Sequence, residues 1–129
     1  MEHENPEAAR AARIAQLNDH LRQNSSNPFG HDLTVIAHGI NAKIEAEASN
    51  IEPDWFIRGD LRRSVAQFDS FTEDNDPYGE RDYGSFTWRG TECFWKIDYY
   101  DNDLRAGSAD PADPSITARV LTIATVSEY

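Results

Sequence analysis

Two runs of alternating aromatic and polar residues, Ser85-Phe86-Thr87-Trp88 and Glu92-Cys93-Phe94-Trp95-Lys96-Ile97-Asp98-Tyr99-Tyr100, are separated by Arg89-Gly90. Alternation with a period of two reads as a pair of strands, and the glycine supplies the positive φ that a tight hairpin turn needs. A two-stranded hairpin is not stable alone in water, so this feature demands further strands and a cover for one face. In the second strand Cys93, Trp95, Ile97 and Tyr99 share one face and Phe94, Lys96, Asp98 and Tyr100 the other. The first set is the expected core face.

The rest of the chain offers the missing parts. Ile116 to Val126 is threonine-rich and β-branched and is expected as a last strand beside the hairpin, with a C-terminal helix as the alternative, because Ala118, Leu121 and Ala124 would tolerate one. Leu33 to Gly39, bounded by Gly30 and Gly39, is a further short strand. Asn5-Pro6-Glu7 is a helix start, with Asn as cap, Pro in the first turn and Glu at the positive end of the dipole. Ile14, Leu17 and Leu21, extended by Ala11 and Ala8, form its apolar stripe. Its first turns, within residues 1–10, are expected to fray, and Asn24 to Gly30 is a loop by composition. Glu52-Pro53-Asp54 opens a second helix, with Ile57, Leu61, Val65 and Phe68 on one side, Arg58, Arg62 and Arg63 outward, and Gly59 weakening it. Between the two helices, Ile40 to Asn50 reads as a single helical turn or an exposed loop. The expectation is one α+β domain over residues 1–129, a small antiparallel sheet of three to four strands with two main helices packed on one face.

Composition narrows the setting. At 129 residues and 39% apolar content the chain is long enough for a modest core without disulfide or metal staples. No apolar run approaches the ~20 residues that cross a bilayer. The acidic start, Met1-Glu2-His3-Glu4-Asn5, lacks the features of a signal peptide, and the single Cys93 makes no internal disulfide, so a cytoplasmic location is expected. The formal charge of −11 is uneven: −3 over residues 1–68, −8 over 69–114, and balanced beyond. Such a field repels nucleic acid and anionic membrane and speeds encounter with a basic protein surface, although it also serves solubility alone.

Chemistry is less legible. The polar stretch Asp74-Asn75-Asp76-Pro77-Tyr78-Gly79-Glu80-Arg81-Asp82-Tyr83-Gly84 leads into the hairpin and carries carboxylates at alternate positions, as hard cations require. The EF-hand pattern fails there: counting from Asp74, Gly79 falls at the glycine position, but Tyr78 and Ser85 stand where ligands belong. The plainer reading is turn chemistry, with Asp76-Pro77 and Tyr78-Gly79 setting the bend. Asp98, Asp101 and Asp103 follow on and after the second hairpin strand, where general acid–base work competes with an ordinary Lys96–Asp ion pair. His3, His20, His31 and His38 lack metal-ligand spacing, Cys93 has no His near it in sequence, and no glycine fingerprint binds phosphate. Neither a metal nor a cofactor is expected. Tyr78, Tyr83, Trp88, Trp95, Tyr99 and Tyr100 lie beside the acids, as interface anchors or as core.

Phe68 to Asp82 (FDSFTEDNDPYGERD), Phe94 to Asp101, Gly107 to Pro114 and Thr117 to Ile123, with Arg13 to Asp19 as an opening helix, resemble the bacterial domain of unknown function family 3768. The likeness spans most of the chain, except around Asn24 to Asn50. It brings no established activity, substrate or catalytic residue. It implies a setting among small proteins of bacterial plasmids and integrated elements, which often antagonise host defence or act as accessory regulators. The expectation is therefore a non-enzymatic acidic protein that docks on a basic protein surface, such as that of a nucleic-acid-binding protein, as an inhibitor or nucleic-acid mimic. Its contact residues would be Asp74, Asp76, Tyr78, Glu80, Asp82, Tyr83, Asp98, Tyr100, Asp101 and Asp103. The alternative is a small carboxylate enzyme using a divalent cation, and a homodimer through an exposed strand is compatible with either.

Overall fold

Trp95 sits at the centre of the molecule with no exposed surface, and both the sheet and the helices are arranged around it. Burial of a side chain this large is worth roughly 4–6 kcal/mol by area, as an upper bound. The computed structural model describes residues 5–23 and 32–128. The loop expected at Asn24 to Gly30 lies outside them. In chain order the elements are α1 (Pro6–Gln23), β1 (Leu33–Ile36), α2 (His38–Glu47), α3 (Asp54–Ala66), β2 (Tyr83–Trp88), β3 (Thr91–Tyr100), β4 (Ala118–Thr125) and a closing 3-10 turn, Val126–Glu128.

The α+β class holds, with four strands in the order β1-β4-β3-β2. The expectation of an antiparallel sheet is corrected at one edge: β1 runs parallel to β4, with Leu33 opposite Val120 and Ile36 opposite Ile123. A parallel neighbour needs a long crossover, and the whole of α2, α3 and the hairpin lies between these two strands. The hairpin forms as its pattern requires, Phe86 opposite Cys93 and Trp88 opposite Thr91. Both turn residues have positive φ, 48° at Arg89 and 77° at Gly90, as a type I′ turn requires. The strain at Arg89 is offset by its guanidinium, which reaches Glu52 at 3.0 Å and Glu47 and Asp60 at 3.4 Å and stacks on Trp88. The hairpin tip is thereby tied to α2, to α3 and to the loop between them.

Cys93, Trp95 and Ile97 are buried beneath the helices, as expected, beside Leu121 and Ile123 of β4. Ile57, Leu61 and Val65 of α3 cover them. The segment Ile40 to Asn50 is corrected from a turn or loop: α2 spans ten residues and buries Ile40 and Ile44 completely. Its support comes from the far end of the chain. The Glu128 carboxylate accepts from the Gly39 amide at 2.7 Å and from the Thr125 amide at 2.9 Å, so an acid caps the helix's positive end. The strand expected to reach Gly39 therefore stops at Ile36, where this helix takes over.

The α1 stripe is rotated from the expected one. Ala8 is exposed and Leu17 half-buried, while Ile14, Ala15, Asn18, Leu21 and Arg22 point inward. Asn5 caps the helix, accepting from the Glu7 amide at 3.0 Å.

Gly84 lies opposite Trp95 in the ladder, and a Cβ there would stand 2.5 Å from Trp95 Nε1 and 2.7 Å from the Phe68 ring. A Cβ at Gly59 would meet nothing within 4 Å. In denaturant unfolding, Gly84→Ala is expected to lose about 1–3 kcal/mol through overpacking, whereas Gly59→Ala should gain about 0.5–1 kcal/mol from helix propensity. Equal effects of the two substitutions would contradict this packing.

Candidate functional site

An antiparallel hairpin places the chain before its first strand and the chain after its second strand at the same end. Asp74 to Asp82 precede β2 and Asp98 to Asp103 end and follow β3, so the two acidic segments come together at the hairpin base, away from the Arg89-Gly90 tip. The Ile97 amide donates to the Asp82 carbonyl at 2.8 Å and holds Asp82 against β3. Burial pushes the Asp82 carboxyl above the ordinary aspartate range, and the negative charges of Glu80, Asp76 and Asp98 push it further. These four acids share one field. Among the described residues only Asp98 of the seven candidate acids forms an ion pair, with Lys96 at 2.7 Å. Asp74 and Asp103 are exposed, and Asp76, Glu80, Asp82, Asp98 and Asp101 half-buried.

Several of these side chains also shape their own backbone. Asp76 Oδ1 accepts from the Arg81 amide at 3.0 Å, and the Gly79 amide donates to the Asp76 carbonyl at 3.1 Å, closing the bend at Pro77-Tyr78. Positive φ at Gly79 (71°) and Arg81 (54°) lets the chain turn back toward β2. Asp101 Oδ1 accepts from the Arg105 amide at 2.9 Å in the turn after β3. These are side-chain turns of the kind Asp and Asn favour.

The loop is held to the body by a polar face of α1. Asn18, with no exposed surface, donates through Nδ2 to the Glu80 carbonyl at 3.0 Å and to the Tyr99 hydroxyl at 2.8 Å, and accepts at Oδ1 from Arg119 Nε at 2.9 Å. The Tyr99 hydroxyl in turn donates to Glu80 Oε1 at 2.9 Å. Burial and the facing Glu80 carboxylate raise the pKa of Tyr99, so it stays a donor. Asp19 pairs with Arg81 at 2.9 Å and with Arg22 at 3.0 Å. Arg22 Nη1 donates to the carbonyls of Val65, Ala66 and Phe68, where α3 ends and the acidic stretch begins. Asn18, Arg22, Tyr99 and Arg119 thus organise the site, although the sequence reading assigns no role there to Asn18, Arg22 or Arg119 and takes Tyr99 only as an interface anchor or as core. Asn18 and Arg22 follow Ile14 at i+4 and i+8, so their polarity on a buried stripe was the available signal.

The aromatic residues divide. Trp88 and Trp95 are buried core, and Tyr99 serves the network just described. Tyr78 is 80% exposed at the loop's bend and, with Glu80, lines a cleft of about 470 Å³ against the first turns of α1. Tyr83 stacks on Phe94 on the sheet face opposite Trp95, next to Lys96 of the opposite strand. Tyr100 is half-buried. Among the described residues, no three His, Cys, Asp or Glu side chains converge as metal ligands would. A separate exposed apolar group, Ile51, Trp55 and Phe56, stands at the start of α3.

Removing the hydroxyl in Tyr99→Phe takes the donor from Glu80 Oε1 and is expected to cost about 1–3 kcal/mol, the worth of a hydrogen bond to a charged group. Hydrogen exchange at the amides of residues 79–82 should accelerate more than at the Arg89-Gly90 turn. Equal acceleration at both ends would mean that the network does not hold the loop.

The model of the family described as proteins of unknown function, DUF3768, matches residues 44–128. That range takes in α3, the acidic loop, the hairpin and β4, and leaves α1 outside, although the resemblance noted in the sequence included the opening helix. No curated protein and no solved structure matches the chain. On the family match, which covers well over half of its length, the chain belongs to the DUF3768 family.

Proposed function

We propose that this is an acidic binding protein whose hairpin-base surface docks on a basic patch of a partner protein, in the manner of a nucleic-acid mimic. The observation that carries this reading is that Asp76, Glu80 and Asp82 before β2 and Asp98 on β3 share one field at the hairpin base, with a single ion pair among these four in the described residues. Unpaired charge of one sign, held on a folded scaffold, steers encounter with the opposite sign. The protruding Tyr78 ring provides contact area beside that charge, as aromatic anchors do. A nucleic-acid-binding surface is the natural complement, because it is built to receive a row of negative charges. Inhibition follows if the acidic surface occupies the groove that nucleic acid would fill.

Among the described residues the side chains of Asp74 and Asp103 form no ion pair or hydrogen bond, and burial already disfavours the charged form of Asp82, so neutralising the three to Asn should leave the fold intact. The tagged chain is expected to capture basic proteins from a bacterial lysate at low salt and to release them near 0.3 M salt, where the Debye length falls below ~6 Å. Duplex DNA should compete with this capture. The triple variant should associate on the order of tenfold more slowly with the captured partner. Capture unaffected by salt, DNA and the triple substitution would remove the basis of the proposal.

A further inference from the structure

The outer face of α3 carries a pattern that the fold itself does not use. Trp55 is 74% and Phe56 44% exposed, with their rings edge to face at 6.1 Å, and among the described residues neither ring stacks on any other ring or on a cation. One turn on stands Gly59, mid-helix and exposed, where a Cβ would meet nothing within 4 Å. Glycine weakens a helix, and no contact within the chain requires it here. A further turn on come Arg62, which forms no ion pair among the described residues, and Arg63, which approaches Asp60 only at 3.6 Å with its side chain 61% exposed. The rings precede Gly59 by four and three positions, and the cations follow it by three and four. Helical spacing puts all five on one face.

We infer that this face binds a second copy of the chain, the two α3 helices crossing antiparallel at Gly59 about a two-fold axis. Such an axis brings each position before Gly59 level with the position equally far after it in the other copy. Trp55 and Phe56 of each copy therefore meet Arg62 and Arg63 of the other, and the set of contacts occurs twice. A guanidinium over an aromatic face is attracted to it, and exposed aromatic and arginine side chains are the usual anchors of an interface. The missing side chain at Gly59 lets the backbones approach toward the ~8 Å end of helix spacings. Self-complementarity selects the occupant, because an unrelated partner has no need of rings and cations mirrored about a glycine. Charge agrees: α3 holds three arginines against two aspartates, so the repulsion between two −11 molecules is not reinforced at the contact, and charges beyond ~8 Å are screened at physiological salt. The face shares no residue with the acidic surface, so the two readings stand or fall separately.

The test is sedimentation velocity of the full-length chain over a range of concentrations at physiological salt, with tryptophan emission read in parallel. A single helix crossing lies below the ~800 Å² per partner of a standard interface, so dimer is expected only above roughly 10 μM. Trp88 and Trp95 are buried, so a blue shift that grows with concentration reports Trp55. Gly59→Gln fills open space and improves the helix, and should leave thermal stability equal or higher while weakening the dimer at least tenfold. Trp55→Ala/Phe56→Ala and Arg62→Gln/Arg63→Gln should each be monomeric. Mixing these two variants should restore a dimer, because a mixed pair keeps one of the two sets of contacts. A chain that stays monomeric throughout, a dimer undiminished by Gly59→Gln, or variants that do not associate when mixed would each overturn the inference.

Discussion

One buried guanidinium holds the molecule's two halves in register. Arg22 reaches from α1 across the end of α3, closes three carbonyls there, and lies 5.0 Å from the centre of the Trp95 ring on the sheet. A helix C-terminus buried without donors would be costly, since each unsatisfied carbonyl loses its hydrogen bonds to water. With Arg22 in place the carbonyls are satisfied, the cation faces the rings of Trp95 and Phe71, and α1 cannot rotate without breaking both. Helix, helix and sheet are therefore fixed by one side chain.

The acidic loop depends on that same helix at both of its ends. Arg22 secures the start at Val65 to Phe68, while Asn18 and Asp19 secure the finish at Glu80 and Arg81. Repulsion among Asp76, Glu80, Asp82 and Asp98 would otherwise open the loop. Anchoring from α1 keeps these charges gathered, and under the proposed function it would present an ordered surface that loses little entropy on docking.

Much of the fold was legible. The hairpin and its turn followed from alternation around Arg89-Gly90, α3 from Ile57, Leu61 and Val65 at helical spacing, and β4 from its β-branched residues. What the sequence concealed was long-range. Helix α2 is short and owes its start to Glu128, which reaches Gly39 from 89 positions away, so no local pattern announces it. The parallel pairing of β1 is a topological outcome that periodicity does not encode. The network of Asn18, Tyr99 and Arg119 was hidden because the buried stripe of α1 was read from apolar residues alone. The acids themselves were visible in sequence. Their convergence needed the topology, which brings the two ends of a hairpin to one place.

The gathering of these carboxylates is the central claim, and site-resolved ¹³C NMR titration of the carboxyl groups of Asp76, Glu80, Asp82 and Asp98 measures it most directly. The account predicts that Asp82 titrates above the ordinary aspartate value of 3.8, and that its midpoint falls partway back when Asp76 and Asp98 are replaced by Asn. A raised folded-state value means that the ionised carboxylate opposes folding, an effect relieved as pH drops through that value toward the unfolded one. An Asp82 that titrates at the ordinary value, indifferent to its neighbours, would contradict the account.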